Sequence, residues 1–415
     1  MSKDFYLRTR CRMCDGANLE KVFGLTPTPP GNSFLKPDQL DRPEACYPLD
    51  VHFCNSCFHV QLGHVVDPKI LYQNNYSYVS GTSPIFVKHL QDYAAAMVGR
   101  FGLKPGRLVA DIGSNDGTCL RFFKQLGMNV IGIDPAVQIA QRASNSGIET
   151  IGQFFSLSLA QDLRKTHGPA AFITSHNACA HIDQLDDVMR GVSHWLAEDG
   201  VFVLEVGYLA DVYTNLWFDT IYHEHLDYHT VAPFKSLFDR TGLDLISVER
   251  VSPQGGSIRV MAQKAGGGYK PDHSVDELIG LEKQLGLDKG STFSGFIQKI
   301  DHVGTRLREL ITSLKDGNRS VAAYGATTKA TTLLSHFRVG AESLDFIVDD
   351  NPLKQGLYTP LSHIPVLPTE ELYRRRPDFV LILAWNFAES IMRTHQKFTE
   401  QGGNFVIPMP EPRIV

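Results

Sequence analysis

Residues 109–117 read Val-Ala-Asp-Ile-Gly-Ser-Asn-Asp-Gly, where an apolar strand runs into a turn rich in glycine. A helix is predicted to follow the turn directly. Gly113 and Gly117 lack a Cβ atom, so the backbone of the turn can approach a ligand closely. A second apolar strand over residues 129–133 ends at Asp134, whose carboxylate is placed to accept hydrogen bonds from a ribose diol. The two strands together predict a site for a ligand that contains a nucleoside.

The spacing of this turn distinguishes between two classes of cofactor. The dinucleotide fingerprint requires G-x-G-x-x-G, whereas this chain has D-x-G-x-x-x-G. That form resembles motif I of the class I S-adenosylmethionine (SAM) methyltransferases, and the resemblance implies a SAM site. The alternative interpretation is an ordinary strand–helix turn. The residues predicted to contact SAM are Asp111, Gly113, Ser114, Asn115, Gly117, Asp134 and Asn177.

Composition limits the classes of partner. The chain has 415 residues, a net charge of −5, 43% hydrophobic residues and 20% charged residues, which is typical of a globular protein of two or three domains. Because the sequence has no basic stripe, we expect no nucleic-acid partner. It also has no signal-peptide pattern and no apolar run near the ~18 residues of a transmembrane helix. We therefore expect a cytoplasmic protein with no membrane partner, and a monomer, because nothing in the sequence indicates an interface.

Five of the seven cysteines precede residue 58, and the total is too low for a disulfide framework. Four of them form two C-x-x-C pairs, Cys11 with Cys14 and Cys54 with Cys57. Two such pairs present four thiolates, which is the ligand set of a structural, tetrahedral zinc site. The alternatives are reduced cysteines in a small core or a redox C-x-x-C. Cys46 is expected to be a spare cysteine that packs as a small buried hydrophobe.

Three regions differ in texture and predict three domains: a zinc-binding module (1–70), a methyltransferase domain (71–265) and a C-terminal domain (266–415). The second and third regions alternate strands with helices, which is typical of parallel sheets covered by helices. The expected fold class is α/β, with a zinc-binding module, a central class I Rossmann-like sheet and a second doubly wound α/β domain. A late hairpin is expected from strands over 245–251 and 257–262. Residues 263–280 are polar and rich in glycine, which predicts a linker.

Ionisable side chains concentrate after a predicted strand over 200–205. Residues 218–229 read Phe-Asp-Thr-Ile-Tyr-His-Glu-His-Leu-Asp-Tyr-His. Metal binding is not expected there, because H-E-H lacks the spacing of H-E-x-x-H. The segment lies at the carboxyl end of the sheet, where doubly wound folds bind ligands, and a histidine can act as a base near neutral pH. A neighbouring glutamate could orient that histidine or raise its basicity, whereas the alternative is a polar surface turn.

Two further polar residues are candidates for the same edge. His181 follows a predicted strand over 170–174 and could face the substrate, or it could be a histidine satisfied by backbone. Tyr76 precedes the first helix of the sheet and could close over SAM or substrate, or it could only pack the zinc-binding module onto the sheet. Cys119 and Cys179 are interpreted as core residues.

The C-terminal region repeats the pattern of strand, small-residue turn and helix in residues 324–330, Tyr-Gly-Ala-Thr-Thr-Lys-Ala. Backbone N–H groups at such a turn favour an anion, and a lysine adds positive charge. Acidic residues end the next strand. The alternative is a Rossmann-like domain used only for packing. The residues predicted to bind the nucleotide part of a substrate are Tyr324, Gly325, Lys329, Asp350 and Asn386.

These features occur in this order in one family. Over essentially its whole length the chain resembles the zinc-containing, SAM-dependent sugar C-methyltransferases acting on dTDP-linked 4-keto-deoxysugars, and it looks most similar to the C-3′-methyltransferases of the D-tetronitrose type. The resemblance implies SAM and a structural Zn²⁺ held by the four paired cysteines. It implies His225 as the catalytic histidine, with Glu224 and Tyr222 beside it, and a sugar nucleotide on the C-terminal sheet.

The implied reaction is methylation of C3 in a dTDP-linked 3-amino-4-keto-2,3,6-trideoxyhexose, for antibiotic deoxysugar biosynthesis. A C4 ketone acidifies the C3 proton, since the resulting charge resides on an enolate oxygen. We assign His225 as the base, and His181 or Tyr222 as the donor that stabilises the enolate. The alternatives are a zinc-containing SAM methyltransferase acting on RNA or protein, and a scaffold with a relic SAM site.

Overall fold

The computed structural model describes residues 4–72, 79–252 and 255–415. Tyr76 lies outside the described residues. The strands are β1 Phe5–Leu7, β2 Leu19–Thr28, β3 Tyr47–Cys54, β4 Val60–Leu62, β5 His64–Val66, β6 Leu108–Ile112, β7 Asn129–Ile133, β8 Thr150–Ile151, β9 Ala170–His176, β10 Leu196–Gly207, β11 Asp227–Tyr228, β12 Leu243–Val251, β13 Ser257–Lys264, β14 Val321–Tyr324, β15 Ile347–Val348, β16 Val366–Leu367, β17 Phe379–Ile382, β18 Asn404–Ile407 and β19 Arg413–Ile414. The helices are α1 Pro68–Tyr72, α2 Pro84–Phe101, α3 Thr118–Gln125, α4 Val137–Asn145, α5 Leu157–His167, α6 Leu185–Trp195, α7 Leu209–Thr214, α8 Val231–Thr241, α9 Ser274–Gln284, α10 Thr292–Asp316, α11 Thr328–Phe337, α12 Glu370–Arg375, α13 Ala388–Thr394 and α14 Gln396–Glu400.

The central sheet has the strand order β12-β13-β10-β9-β6-β7-β8. β13 runs antiparallel to both of its neighbours, and the other neighbouring pairs are parallel. Helices cover both faces, so the inner strands are almost continuously apolar, as Val109 and Phe172 illustrate with no exposed surface. This arrangement confirms the predicted class I sheet and its late hairpin.

Helix α2 shows how the sequence builds these covering helices. The Ser83 side chain accepts a hydrogen bond from the N–H of Phe86, and the helix ends at Gly102, which has a φ of 58°. Its buried side chains recur every three or four residues and form one apolar stripe against the sheet. They are Phe86, Leu90, Tyr93, Ala94 and Met97.

The N-terminal module is built around a sheet with the order β11-β4-β3-β2. Its last strand comes from far along the chain: Asp227 pairs with Gln61, and Tyr228 pairs with Val60. The histidine-rich segment that follows β10 is therefore held directly by the N-terminal sheet.

The C-terminal sheet has the order β16-β15-β14-β17-β18-β19 and is parallel except for β19. It is the predicted second doubly wound sheet. The prediction that residues 263–280 are a linker is only partly right, because they include the end of β13 and most of α9. Glu282 of α9 accepts a hydrogen bond from the N–H of Val231 at 2.7 Å.

An extended segment, residues 26–32, joins the N-terminal module to the C-terminal domain, and we call it the strap. The hydroxyl of Thr331 donates to the carbonyl oxygen of Gly31 at 3.2 Å, and the hydroxyl of Thr328 donates to Oδ1 of Asn32 at 2.9 Å. A Cβ atom on Gly31 would lie 2.7 Å from the carbonyl oxygen of Thr328. The strap therefore lies tightly against the first turn of α11.

Candidate active site

The turn between β6 and α3 lies at the carboxyl end of the central sheet. Gly113 has a φ of 77°, and its N–H donates to the carbonyl oxygen of Ile133 at 2.8 Å. A Cβ atom on Gly113 would lie 2.5 Å from the Cβ of Ala178. Both the left-handed backbone and the approach of the loop after β9 therefore require glycine at this position.

Asp134 ends β7 beside this turn. Its Oδ2 accepts the N–H of Asn115 at 2.9 Å, and its Oδ1 accepts the N–H of Ala136 at 2.8 Å. Burial raises the pKa of Asp134, and these two backbone donors counteract that rise. The carboxylate is thus fixed in place at the strand end, where a ribose can meet it.

Two buried polar atoms beside the turn have no hydrogen-bond partner among the described residues: Oδ1 of Asp111 and Oγ of Ser114. Burial and the charge of Asp134 raise the pKa of Asp111 well above its usual range. A buried carboxylate or hydroxyl oxygen without a partner needs a hydrogen bond to a ligand. The ammonium and ribose hydroxyls of SAM are donors, so the donor set fits this cofactor.

The remaining predicted SAM contacts lie at the same edge. Asn115 has a φ of 50°, and its Oδ1 accepts the N–H of Ser80, which precedes α2. Asn177 has a φ of 55°, and its N–H donates to the carbonyl oxygen of Glu205 at 2.7 Å. Gly117 precedes the first residue of α3 and has a φ of 76°. The structure thus brings all seven predicted residues to the ends of β6, β7 and β9.

The two histidines predicted to be catalytic, His181 and His225, are in contact. The rings of His181 and His225 lie 4.9 Å apart between centroids, at 78° to each other. Burial lowers the pKa of His181 to about 4. Burial, then the neighbouring His181, lowers the pKa of His225 well below its usual range. Both rings are therefore neutral near pH 7, and a neutral imidazole can accept a proton.

The hydrogen bonds of His225 determine which nitrogen accepts. Its Nδ1 lies 2.8 Å from the carbonyl oxygen of Thr220, which can only accept a hydrogen bond, so the proton resides on Nδ1. Its Nε2 lies 2.8 Å from the hydroxyl of Tyr222, and that hydroxyl donates. Nε2 is consequently the basic atom, and it accepts a hydrogen bond from Tyr222 in this structure.

Glu224 faces a different neighbour. Its Oε1 accepts a hydrogen bond from the amide of Asn32, at the end of the strap, at 3.2 Å. Burial raises the pKa of Glu224 to about 7, against the lowering effects of Asn32 and Lys354. This contact does not orient a histidine, which was the expected role of Glu224. It joins residues 218–229, which we call the reactive segment, to the strap.

The C-terminal domain reaches the same segment. The hydroxyl of Thr332 donates to the carbonyl oxygen of Ile221 at 3.1 Å, and Nε1 of Trp385 donates to Oδ2 of the buried Asp219 at 2.8 Å. Lys329 lies in the first turn of α11, three residues before Thr332. Burial raises the pKa of Asp219 and lowers the pKa of His225. The positive charge of Lys329 is a smaller influence that lowers both. The charge of Lys329 thus reaches residues 218–229, in addition to the nucleotide-binding role predicted for it.

The other residues predicted to bind a nucleotide lie at the carboxyl ends of β14, β15 and β17. The hydroxyl of Tyr324 donates to Oδ2 of Asp350 at 2.6 Å, so these two residues hold each other. Gly325 has a φ of 94°, with Ala384 3.0 Å from where its Cβ would be. Asn386 follows in a short 3-10 helix, half-buried.

Several residues at this site were not predicted from the sequence. Oδ2 of Asp349 accepts the N–H of Ala326 at 2.7 Å and so orients the turn after β14. Lys354 donates to the carbonyl oxygen of Ala326 at 2.8 Å. Asn32, Asp219 and Trp385 were also missed. The available signals were the acid pair after β15 and the Pro-Pro-Gly-Asn sequence of the strap, and neither indicates a specific partner.

The four paired cysteines converge on one point. The Sγ atoms of Cys11, Cys14, Cys54 and Cys57 all lie within 4.8 Å of one another, with 3.5 Å between Cys11 and Cys57 and 3.6 Å between Cys14 and Cys54. Four sulfurs bound tetrahedrally to zinc are about 3.8 Å apart. The donor set and its spacing therefore fit a structural Zn²⁺. Cys46 is outside this cluster, and the expectation that it is buried is wrong, because its side chain is exposed. Cys119 and Cys179 are buried, as expected.

None of the helices in residues 4–72, 79–252 and 255–415 is long and apolar enough to cross a membrane.

Three family models match the chain in succession. A zinc binding domain matches residues 11–72, a methyltransferase domain matches residues 86–248, and a C-methyltransferase C-terminal domain matches residues 252–410. Together they cover the cysteine site, the central sheet and the second sheet.

A relative in sequence agrees with these matches. The chain is 35% identical over 405 residues to the C-methyltransferase NovU of Streptomyces niveus, covering 98% of this chain and 96% of that protein. Among solved structures, magnesium protoporphyrin IX methyltransferase from Synechocystis PCC 6803 with bound SAM is 17% identical, covers 44% of this chain and 82% of its own, and has a TM-score of 0.33. A SAM-dependent methyltransferase from Clostridium acetobutylicum ATCC 824 is 13% identical, covers 43% and 92%, and has a TM-score of 0.36. From the family models and the relation to NovU, the chain belongs to the zinc-containing, SAM-dependent C-methyltransferases.

Proposed function

We propose that this enzyme methylates C3 of a dTDP-linked 3-amino-4-keto-2,3,6-trideoxyhexose, in the biosynthesis of an antibiotic deoxysugar, with His225 as the base. The observation that carries the proposal is the fixed tautomer of His225, which leaves Nε2 as a neutral acceptor beside the ring of His181. Carbon methylation needs such an acceptor, because a C–H proton must leave before the carbon becomes nucleophilic.

The reaction divides between the substrate, SAM and the protein. SAM supplies an electrophilic methyl group when bound. The C4 ketone of the sugar makes the C3 proton acidic, and Nε2 of His225 takes that proton. Because burial keeps His225 neutral, the histidine is ready to accept at pH 7 and below.

The developing charge is on the C4 oxygen, and donors placed there lower the barrier. Tyr222 donates to Nε2 of His225 in this structure, and in the proposed reaction its hydroxyl turns to the enolate oxygen as Nε2 takes the C3 proton. The ring of His181 lies in the same cluster, where backbone hydrogen bonds to Glu224 and Asn177 hold it. The charge of Lys329, which already acts on His225, favours an anion at this place.

The C-terminal sheet is proposed to hold the dTDP part of the substrate. The N-terminus of α11 favours an anion such as a diphosphate. The N–H groups of the preceding turn already donate to Val348, Asp349 and Gly325, so they hold the turn in shape. Thr327 caps α11 by accepting the N–H of Ala330, which keeps that end of the helix regular. The strap lies on the same turn, so a nucleotide bound there is next to Glu224 and the reactive histidine.

The test is incubation of the enzyme with the dTDP-linked 3-amino-4-keto sugar and SAM in D₂O, followed by mass spectrometry, for the wild type and His225→Asn. The expected result is one added methyl group in the wild type and neither methylation nor deuterium exchange at C3 in the variant. Deuterium exchange by His225→Asn without methylation would show that another residue is the base.

Absence of both reactions in the wild type would overturn the amino-sugar substrate. The 3-hydroxy keto sugar is then the first replacement to assay, because it has the same acidified C3 proton. Methylation of RNA or of a protein, with no reaction of any sugar nucleotide, would support the alternative activity.

A further inference from the structure

Arg12 lies between Cys11 and Cys14, inside one of the two metal-binding turns, and its side chain is 1% exposed. A guanidinium that is removed from water must be paired and hydrogen-bonded, or it destabilises the fold strongly. Its partners therefore show what the turn is built to hold.

Two of those partners belong to the two loops that carry His181 and His225. Nε of Arg12 donates to Oδ1 of Asp183 at 3.0 Å, two residues after His181. Nη1 donates to the carbonyl oxygen of Leu226 at 3.3 Å, directly after His225. The same Nη1 donates to the carbonyl oxygen of Leu62 at 2.9 Å, in the sheet of the N-terminal module.

The two loops also contact each other at this point. The N–H of Leu226 donates to the carbonyl oxygen of Ala180 at 2.7 Å. Asp183 is held further by Arg8, whose Nη1 lies 3.0 Å from Oδ2. Arg8 and Arg12 thus hold the loop that contains His181 against the N-terminal segment. Of these two arginines, Arg12 also contacts the loop that contains His225, so its one side chain connects both loops.

We propose that Arg12 is a positioning residue, which couples metal binding by the four cysteines to the relative placement of His181 and His225. The inference rests on the proposed function, in which these two histidines are the reacting pair. The metal holds the turn, the turn holds the guanidinium, and the guanidinium holds both loops. Arginine suits this role because its planar fork donates in several fixed directions, whereas lysine is a single point of charge.

The chain offers a matched control in Arg240. Its Nη1 donates to the carbonyl oxygen of Met13 in the same metal-binding turn at 3.1 Å, and its Nη2 pairs with Asp186 at 3.0 Å. Met13 belongs to the metal-binding turn and Asp186 lies in the first turn of α6, so neither contact involves an atom that Arg12 contacts. Arg240→Gln therefore removes an arginine from the turn without touching the connection that Arg12 makes.

The experiment compares full-length wild type, Arg12→Lys and Arg240→Gln by amide hydrogen exchange, zinc content, SAM affinity and methyl transfer. For Arg12→Lys we expect exchange in residues 179–183 and 222–228 to rise about tenfold, with zinc content and the Kd for SAM unchanged. Methyl transfer is expected to fall about 10- to 100-fold in kcat, because misplacement of the pair slows the chemical step. Arg240→Gln is expected to match the wild type.

The metal arm uses the wild type after removal of zinc by a chelator. The expected result is the same increase of exchange in residues 179–183 and 222–228. Exchange that rises only within residues 11–62 would overturn the coupling, and so would an Arg12→Lys protein whose two loops exchange like those of Arg240→Gln.

If Arg12→Lys does not fold, Asp183→Asn takes its place, since it weakens the same contact from the other loop. The exchange measurements need no sugar substrate. They can therefore support or overturn the role of Arg12 even if the proposed substrate is wrong, and an unreactive sugar would count against the proposed function alone.

Discussion

Nδ1 of His225 lies 2.8 Å from the carbonyl oxygen of Thr220, and this single contact decides the tautomer of the ring. A backbone carbonyl can only accept, so the ring proton is held away from Tyr222. The basic nitrogen is thereby selected by the backbone of the reactive segment itself, and it does not depend on a neighbouring carboxylate.

The first prediction uses that contact. In His225→Asn the side-chain amide can still donate to the carbonyl oxygen of Thr220, but no basic nitrogen remains. We expect methyl transfer to fall by at least about 100-fold, with the melting temperature and SAM affinity close to those of the wild type. Steady-state kinetics and calorimetry check this. A variant that retains most of its kcat would contradict the assignment of His225.

The second prediction concerns the close packing of the strap. In Gly31→Ala the new Cβ would lie 2.5 Å from Cγ2 and 2.7 Å from the carbonyl oxygen of Thr328. Since that oxygen belongs to the backbone, the strap must move, and we expect a loss of about 1–3 kcal/mol in the free energy of unfolding. The KM for the sugar nucleotide should rise as Asn32 leaves Glu224.

Gly295→Ala is the control for that variant. This glycine is in α10, and nothing lies within 4 Å of where its Cβ would be. Alanine there should stabilise the protein by up to about 1 kcal/mol, with unchanged kinetics. Equal effects of the two substitutions in urea unfolding would argue against the packing of the strap.

The third prediction is a pH dependence of stability. Burial raises the pKa of Glu282 to about 7, although the N–H of Val231 and the hydroxyl of Tyr208 lower it. The folded protein therefore holds this proton more tightly than the unfolded chain does. That contribution, at most about 3 kcal/mol, is fully present below pH 4.5 and is lost as the pH rises through 7.

Unfolding of the wild type and Glu282→Gln in urea, at intervals from pH 4.5 to 8, measures this contribution. The wild type should lose more stability than the variant as the pH rises. A wild type and variant with identical slopes would show that Glu282 titrates normally.

The fourth prediction separates the metal ligands from the spare cysteine. Cys54 is fully buried among the other three sulfurs, whereas Cys46 is exposed. Cys54→Ser should reduce bound zinc to well below one per chain and lower the melting temperature, because metal binding contributes to folding. Cys46→Ser should leave both unchanged. Metal analysis and thermal unfolding of the purified variants provide the comparison.

The parts of the structure that could be predicted from the sequence are those with a local pattern. Strands buried on both faces appear as short apolar runs, so the two doubly wound sheets were predicted correctly. The zinc site could also be predicted, because two C-x-x-C pairs indicate a metal site wherever the chain brings them together.

Contacts between distant segments carry no such pattern. Asn32 meets Glu224, and Trp385 meets Asp219, only because three domains converge on one short segment. Helix α9 was missed for another reason. Its fully buried side chain is Glu282, which accepts hydrogen bonds from the start of α8. Its apolar residues Val275, Leu278 and Ile279 are only partly buried against the core, and they follow the polar, glycine-rich stretch that was interpreted as a linker.

The pairing of β11 with β4 has a consequence for biosynthesis of the protein. Asp227 completes a sheet whose other strands end at residue 62. At about 5–20 residues per second, the ribosome delivers β11 many seconds after those strands emerge. The N-terminal sheet must therefore wait, with one edge uncovered, until most of the central sheet has been synthesised. His225, the proposed base, arrives with the strand that closes that edge, so assembly of the proposed reaction centre and completion of the sheet are one late event.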